Sequence, residues 1–207
     1  MARPAAYPMT FEEFDARYSG KRYEYVDGCA VPRAPETTLE NGEVDVQPKT
    51  PAQQMLALRV GYLVGKHVLD HRLGVPLPNG VGFFMTQDPP ELRECDFAFL
   101  TPENAIRCTL GEYLPFPPDF AVEIVTEWDS EDYVRRKAAS YLANGTRLLW
   151  VMYPAAQRVD VYHTSADSRT YSLSENLDTA DLFPTLELPV SAIFAPVKDV
   201  TRDPLQS

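Results

Sequence analysis

The chain has 207 residues, 44% of them hydrophobic, and a formal net charge of −11. This length suffices for one domain with a substantial core, whereas so acidic a chain is a poor candidate for broad, non-specific binding to nucleic acid, because phosphate contacts need Lys and Arg. Its longest apolar runs are of strand length and residues 1–8 hold no apolar core of signal-peptide length, so we expect a cytoplasmic protein without a membrane span.

The first part of the chain predicts a short helix, a hairpin and a long helix. Thr10 and Glu13 form a capping box at the start of the short helix. Asp27-Gly28, between two short apolar runs, predicts a hairpin turn. Residues 34–50 lack periodicity and are expected to form a mobile, acidic and proline-bearing loop. Thr50-Pro51 then opens a long helix with an apolar stripe at helical spacing.

The second part alternates strands with one further helix. Apolar runs predict strands over 81–85, 92–100 and 120–125, with a loop over 101–118. Asp129 or Ser130 caps a helix that ends near Asn144. The remaining elements are strands over 148–153, 158–162 and 170–173, a short helix over 191–194 and a frayed tail over 196–207. The pattern predicts a single α/β (α+β) domain with a mixed β-sheet flanked by helices.

Two carboxylates interrupt apolar runs of the kind that form buried strands. Asp96 lies in the run that ends at Leu100, and Glu123 lies in the run from Phe120 to Val125. Asp and Glu are almost never fully buried unless they are paired or bound to a metal ion. Two such acids, followed by Lys137 on a helix, are what a hard divalent cation and a phosphodiester require.

Structural explanations compete with this hypothesis at each position. Asp96 could form an ion pair with Arg93 or Arg136, Lys137 could be a solvated helix lysine, and Tyr141 could be a core residue or a catalytic one. Glu123 is harder to explain structurally, because apolar residues flank it on both sides and a lone buried charge is costly.

Histidines and cysteines offer little for metal binding. His67 and His71 are four residues apart on one predicted helix face, but charged neighbours indicate a solvated face rather than a metal pair. The three cysteines have no metal-ligand spacing, which is typical of free thiols in a reducing compartment.

Seven segments resemble, in order and spacing, the motifs of one protein family. They are TFEEF at 10–14, YEYVDG at 23–28, ECDFAF at 94–99, PDFAVEIV at 118–125, KAASYLANG at 137–145, LWVMYP at 149–154 and LELPV at 186–190. Together they resemble the Uma2 family of the PD-(D/E)xK nuclease superfamily, over nearly the whole chain. The resemblance implies a restriction endonuclease-like fold.

The resemblance also implies a role for each acid. Asp96 takes the place of the motif aspartate, and Glu123 that of the acidic residue on the next core strand. Both would hold Mg²⁺ or Mn²⁺, together with the carbonyl group of Ile124. Glu24 matches an early acid of the family and would bind the metal ion through water.

Three positions depart from the superfamily pattern. The superfamily lysine would stand at Val125, and the family instead supplies it from the next helix, at Lys137. Cys95 replaces the proline that usually precedes the motif aspartate, which leaves the chemistry intact. Relatives often carry histidine near Gln53, and glutamine can hydrogen-bond a phosphate or water but cannot shuttle a proton.

These observations lead to a metal-assisted nuclease that hydrolyses phosphodiester bonds, with DNA as the expected substrate and Glu24, Asp96, Glu123 and Lys137 as site residues. The resemblance further implies a homodimer, for which the aromatic, proline-bearing segment 113–117 is a candidate interface unless it packs back over its own sheet. The alternative is a non-catalytic scaffold that acts as a protein interaction or regulatory module. The acidic composition favours this alternative, whereas the complete set of acids with a lysine favours the nuclease.

Overall fold

A computed structural model of the chain describes residues 6–40, 43–108, 113–163, 168–179 and 182–196. The helices are α1 (Phe11–Tyr18), α2 (Pro51–His71), α3 (Pro102–Ala105), α4 (Glu131–Ala143) and α5 (Val190–Ile193). The strands are β1 (Tyr7–Pro8), β2 (Tyr23–Val26), β3 (Cys29–Pro32), β4 (Glu36–Thr38), β5 (Val44–Val46), β6 (Val75–Pro78), β7 (Gly82–Gln87), β8 (Pro90–Glu94), β9 (Phe97–Leu100), β10 (Tyr113–Leu114), β11 (Phe120–Ile124), β12 (Leu148–Tyr153), β13 (Arg158–Tyr162) and β14 (Ser168–Tyr171).

The described strands form two six-stranded sheets and a separate hairpin. The first sheet has the order β1-β3-β2-β8-β7-β10, the second has the order β14-β13-β12-β11-β9-β6, and β4 pairs with β5. Both large sheets are mixed, because β10 runs parallel to β7 and β11 runs parallel to β12, while their other strand pairs are antiparallel. The α/β class with mixed sheets flanked by helices is therefore confirmed, although the strands divide between two large sheets.

The chain passes from the first sheet to the second at Cys95 and Asp96. The single strand predicted over 92–100 is wrong, because β8 ends at Glu94 in one sheet and β9 begins at Phe97 in the other. The backbone N–H of Asp96 donates to the carbonyl oxygen of Val122 at 2.8 Å, which anchors it to the second sheet. Both halves of the run are buried, so its hydrophobicity carries no sign of the break. Asp96 consequently lies where the two sheets meet.

Helices cover both faces of the second sheet. The buried stripe of α2, centred on Val60 and Val64, packs against alternate strand residues such as Phe97, Phe120 and Trp150. The intervening strand residues pack on the opposite face against α4, through Val134, Ala138 and Tyr141. Because both faces are covered, β11 and β12 read as nearly continuous apolar runs in the sequence. Glu123 is the polar exception on the face beneath α4.

The capping boxes and the hairpin follow the sequence predictions. The hydroxyl of Thr10 accepts the N–H of Glu13, and the carboxylate of Glu13 accepts the N–H of Thr10. Helix α1 begins at Phe11, directly after this cap. Asp27 and Gly28 both have positive φ and connect β2 to β3. In α4 the N-cap is Ser130, whose hydroxyl accepts the N–H of Tyr133.

Two segments predicted to be loops contain regular elements, and the one over 101–118 holds α3 and β10. The loop expected over 34–50 holds the β4–β5 hairpin. The proline-bearing segment after α2 forms β6, which pairs antiparallel with β9. Its prolines are compatible with a strand because β6 lies at the edge of the second sheet, where an N–H is not needed on the outer side.

The aromatic segment 113–117 packs back over its own protein. Leu114 and Phe116 are buried in the cluster beneath α4, and Tyr113 and Leu114 form β10 of the first sheet. The prediction that this segment offers an exposed apolar interface is therefore wrong for Leu114 and Phe116, because both side chains are buried within the chain.

No helix within the described ranges is long and apolar enough to cross a membrane. The three cysteines are free thiols, as their spacing predicts. The tail predicted to fray lies outside the described residues from 197 onwards.

The turn that leads from α2 into β6 provides a test of the fold. Gly74 has a φ of 151°, and a Cβ atom there would lie 2.1 Å from the carbonyl oxygen of Leu100 and 2.7 Å from the ring of Phe99. Gly74→Ala should therefore lower the free energy of unfolding by roughly 3 kcal/mol, measured by urea denaturation. Gly61→Ala is the control, because its Cβ would meet only the Phe97 ring at an ordinary 3.6 Å. Equal stability of the two variants would contradict the packing described for Gly74.

Candidate active site

The register of β9 and β11 places Asp96 beside Glu123. Phe97 is opposite Val122 in this antiparallel pair, so the next position along aligns Asp96 with Glu123. Residues that are directly opposite share one face of a sheet, and here it is the face beneath α4, to which Ala98 and Ala121 also belong. The two carboxylates line one cleft of about 190 Å³, here called the active-site cleft. Its lining also includes Arg22, Arg33, Lys49, Trp128 and Lys137.

Asp96 is buried and paired with cations that the sequence did not predict. One carboxylate oxygen accepts the N–H of Ile124 at 2.7 Å, and the other contacts the ammonium group of Lys49 and, at 3.5 Å, the guanidinium group of Arg33. Burial raises the pKa of Asp96, but these two cations and the Ile124 N–H outweigh it, so the pKa lies below its ordinary value. The expected partners Arg93 and Arg136 are therefore wrong for Asp96.

Glu123 is held by two residues of α4. Its carboxylate accepts hydrogen bonds from Lys137 Nζ at 2.9 Å and from the Tyr141 hydroxyl at 2.8 Å. These donors are four residues apart and so share one helix face. Both are buried, with Lys137 only 7% exposed, so Lys137 is not a solvated helix lysine. Burial raises the pKa of Glu123 to about 7. The nearby carboxylate of Asp96 adds to this rise, and the ammonium group of Lys137 opposes it.

Glu24 reaches the same lysine from the first sheet. It is fully buried on β2, and its carboxylate lies 2.8 Å from Lys137 Nζ and 3.3 Å from the guanidinium group of Arg93. It also accepts the Tyr133 hydroxyl at 3.1 Å and the Glu94 N–H at 3.2 Å. Burial raises the pKa of Glu24, but its cationic neighbours Lys137 and Arg93 hold that pKa well below the ordinary value.

Lys137 has an acceptor for each proton of its ammonium group. The acceptors are the carboxylates of Glu24 and Glu123 and the carbonyl oxygen of Glu94 at 3.2 Å. An ammonium group has three N–H donors, so its hydrogen-bonding capacity is used in full. Burial alone would lower the pKa of Lys137, but the two carboxylates raise it above its ordinary value, and the residue stays charged.

Arg33 and Lys49 belong to the site and were missed in the sequence. Arg33 follows β3 and contacts Glu94 at 2.7 Å, Asp96 at 3.5 Å and Glu24 at 3.7 Å. Lys49 immediately precedes Thr50, the N-cap of α2. The only sequence signal for Lys49 is its position before a helix start in a chain with five lysines. Nothing local distinguishes Arg33 from a surface arginine.

The four predicted site residues therefore meet in one charge network. Its acids are Glu24, Glu91, Glu94, Asp96 and Glu123, and its bases are Arg33, Lys49, Arg93 and Lys137. Five carboxylates and four cations give these nine residues a formal charge of −1, whereas the whole chain carries −11. Buried acids of this kind need such partners, because an uncompensated buried charge is strongly destabilising.

The carboxylate oxygens of Asp96 and Glu123 are ligands of the kind that Mg²⁺ prefers. Among the residues that the structure describes, no group of three or more His, Cys, Asp or Glu is arranged to hold a metal ion, and the ring of His67 instead contacts the carbonyl oxygen of Pro184. Asp96 and Glu123 supply two carboxylates on one cleft, and Mg²⁺ is usually bound by one or two carboxylates together with several waters. Lys49 would have to leave Asp96 for that carboxylate to serve as a ligand.

Gln53 also lines the cleft, but part of its side chain is already used. Its carbonyl oxygen accepts the Thr50 N–H at 2.9 Å, and the Thr50 hydroxyl accepts the Gln53 N–H at 3.3 Å. This capping box fixes the first turn of α2 at the edge of the cleft, which makes Gln53 a structural residue of the site.

Comparisons with known proteins point to one family. The sequence profile of Uma2, described as "Putative restriction endonuclease", matches residues 29–191. No curated protein matches the chain. A crystal structure titled as that of "a putative nuclease belonging to DUF820" from Anabaena variabilis ATCC 29413 is 16% identical, with a TM-score of 0.71 over 90% of this chain and 98% of that one. At this identity the likeness shows the fold.

The raised pKa of Glu123 predicts how stability depends on pH. A carboxyl group whose pKa rises from 4.5 to about 7 on folding binds more protons in the folded state between these values, so it lowers the free energy of unfolding as pH rises through them. Glu123→Gln removes this contribution but leaves Lys137, Tyr141 and Asp96 in place.

The stability of Glu123→Gln relative to wild type should therefore increase from pH 5 to pH 8, measured by urea denaturation at each pH. Glu103→Gln, at an exposed carboxylate, serves as the control and should keep the wild-type pH dependence. A constant difference between Glu123→Gln and wild type would contradict the raised pKa of Glu123.

Proposed function

Because this chain belongs to the Uma2 family, as its match over residues 29–191 shows, we propose that it is a metal-dependent nuclease that hydrolyses phosphodiester bonds of nucleic acid, with DNA as the favoured substrate. The observation that carries the proposal is the pairing of Asp96 with Glu123 on one cleft, beside the buried ammonium group of Lys137. This combination supplies carboxylate oxygens for a cation and a fixed positive charge for a phosphate.

In the proposed reaction Asp96 and Glu123 would hold Mg²⁺ or Mn²⁺. Such an ion, when bound, would supply Lewis-acid polarisation of the phosphoryl oxygen and a lower pKa for an attacking water. Lys137, whose three N–H donors are already used within the protein, acts through its fixed charge and offsets the negative charge that develops in the transition state. Glu24 fixes the position of Lys137 from the first sheet, and Tyr141 fixes the carboxylate of Glu123.

Lys49 and Arg33 differ in how firmly they are held at Asp96. Arg33 also contacts Glu24 and Glu94, so three carboxylates fix its guanidinium group. Lys49 forms an ion pair with Asp96 and carries a flexible four-carbon stem. We infer that Lys49 is the cation that leaves Asp96 when a metal ion binds.

A non-catalytic scaffold is the second candidate function. The observation that favours it is that each of the five acids in the network has a basic partner, which satisfies the buried charges without any metal ion. Metal binding distinguishes the two candidates, because a scaffold of this kind has no need to release Asp96.

The homodimer and the cytoplasmic location stay proposals. Self-association is supported by an exposed apolar stripe along α2, comprising Met55, Leu58, Tyr62 and Leu69. These residues recur at helical spacing on the side of α2 that faces away from the second sheet, and such stripes are typical of interaction surfaces.

The nuclease proposal predicts that Asp96→Asn abolishes metal-dependent cleavage. The amide keeps the shape of the side chain but removes the charge that would hold the cation, so cleavage of labelled oligonucleotides in Mg²⁺ should slow at least about 100-fold. Asp70→Asn is the matched control, because Asp70 forms an exposed pair with Lys66 and should leave cleavage unchanged. Wild-type rates for Asp96→Asn, or wild-type cleavage that survives EDTA, would refute metal-assisted hydrolysis at this site.

The inferred exchange at Asp96 predicts the effect of Lys49→Gln on metal binding. Removing a competing cation should tighten Mg²⁺ or Mn²⁺ binding roughly tenfold, measured by titration calorimetry of the full chain. Lys66→Gln removes an exposed lysine and should bind the metal ion as wild type does. Unchanged or weaker binding by Lys49→Gln would show that Lys49 does not compete for Asp96.

A further inference from the structure

The lining of the active-site cleft includes two chemically different groups of residues. Arg22, Arg33 and Lys49 form one group, here called the basic wall, and come from the β2–β3 region and the segment before α2. The turn between β11 and α4 supplies the other group, and Trp128 lies at the centre of that turn. The carboxylates of Asp96 and Glu123 line the same cleft.

The basic wall concentrates positive charge where the protein is otherwise acidic. The guanidinium group of Arg22 donates to the carbonyl oxygen of Gln47, which holds it next to the segment that carries Lys49. Arg33 and Lys49 both contact Asp96. Three cations from separate segments thus line one small volume, together with the acids Asp96, Glu123, Glu127 and Asp129. The cations provide local donors for a phosphate group within a cleft that carries no net positive charge.

Trp128 is presented to the cleft on a braced turn. The carboxylate of Asp129 accepts the N–H of Thr126 at 2.9 Å and its hydroxyl at 2.8 Å, and the Thr126 oxygen accepts the N–H of Trp128 at 3.3 Å. These bonds fix the backbone on both sides of the indole ring. A half-buried aromatic ring on a fixed turn can contact a ligand with little loss of entropy.

The two tryptophans of the chain have different surroundings. Trp150 is fully buried and packs edge-on against Phe120, with ring centroids 4.9 Å apart. Trp128 belongs to none of the three hydrophobic clusters formed by the described residues. Core packing therefore explains Trp150 but does not explain why an indole ring lines the cleft.

We propose that the cleft takes a single-stranded nucleic acid, with one nucleobase stacked on Trp128 and the adjoining phosphate against the basic wall. The proposal rests on the nuclease function proposed above and specifies its substrate. The face of a base is covered in a duplex, so stacking on a tryptophan requires an unpaired or extruded base.

The size of the cleft favours part of a nucleotide over a whole small molecule. Its volume of about 190 Å³ lies below the roughly 300–1,000 Å³ that is typical of pockets for whole small molecules. The side chains of Asp96 and Glu123 are only 5% and 13% exposed. A space of this size accommodates a phosphate with part of its nucleotide, which leaves the base to Trp128.

Tryptophan fluorescence of the full-length chain provides the test, because Trp150 is fully buried and changes in emission report on Trp128. The ligands are a short oligothymidine, a strand of the same length made of abasic sites, a duplex of the same length and free thymidine monophosphate. Phosphorothioate linkages prevent cleavage of the three polymers. The abasic strand keeps the phosphates but lacks the stacking surface.

We expect oligothymidine to quench the emission and to bind about tenfold or more tightly than the abasic strand, the duplex and the mononucleotide. Trp128→Leu should remove the quenching and reduce binding of oligothymidine, measured by anisotropy, to the abasic level. Trp128→Phe keeps an aromatic face and should retain most of the affinity, which separates stacking from loss of fold. Circular dichroism checks that both variants are folded.

Equal binding of the thymidine and abasic strands, or unchanged binding by Trp128→Leu, would overturn the stacking proposal. Duplex binding as tight as that of the single strand would overturn the strand preference, and mononucleotide binding as tight would indicate a free-nucleotide site instead. In each of these cases cleavage that is lost in Asp96→Asn would leave the nuclease function standing. Absence of binding to every polymer, together with absence of cleavage, would overturn both proposals.

Discussion

The contact of Lys137 with Glu24 and Glu123 is the interaction on which the arrangement of this protein depends. Glu24 belongs to the first sheet, Glu123 to the second and Lys137 to α4, so one ammonium group joins three separate parts of the fold. Burial raises the pKa of both carboxyl groups, and Lys137 opposes that shift at each of them. The lysine thus fixes the relative positions of the groups to which we assign the chemistry.

The charge network is compatible with the polyanion site that we propose in an acidic chain. The network carries a formal charge of only −1, so most of the net charge of −11 resides elsewhere in the chain. Within the network Arg33 shares its charge among three acids, whereas Lys49 is held by its contact with Asp96. This difference is the basis of our proposal that Lys49, and not Arg33, leaves Asp96 when a metal ion binds.

Local signals predicted the parts of this structure that local interactions form. Caps and turn residues marked α1, α2, α4 and the β2–β3 hairpin, and the isolated acids in apolar runs marked Asp96 and Glu123. Arg33 and Lys49 escaped prediction because their contacts with Asp96 span 63 and 47 residues and leave no periodic pattern. The break at Cys95 and Asp96 was equally invisible, since a chain that changes sheets between two buried strands keeps its apolar character.

The crossing of the chain at Cys95 and Asp96 also bears on how the protein acquires activity during folding. Glu24 and Glu94 come from one sheet, Asp96 and Glu123 align with the other, and Lys137 arrives with α4. A chain in which only one sheet has formed holds only part of the acids of the network. For the nuclease that we propose, cutting activity therefore requires the finished fold.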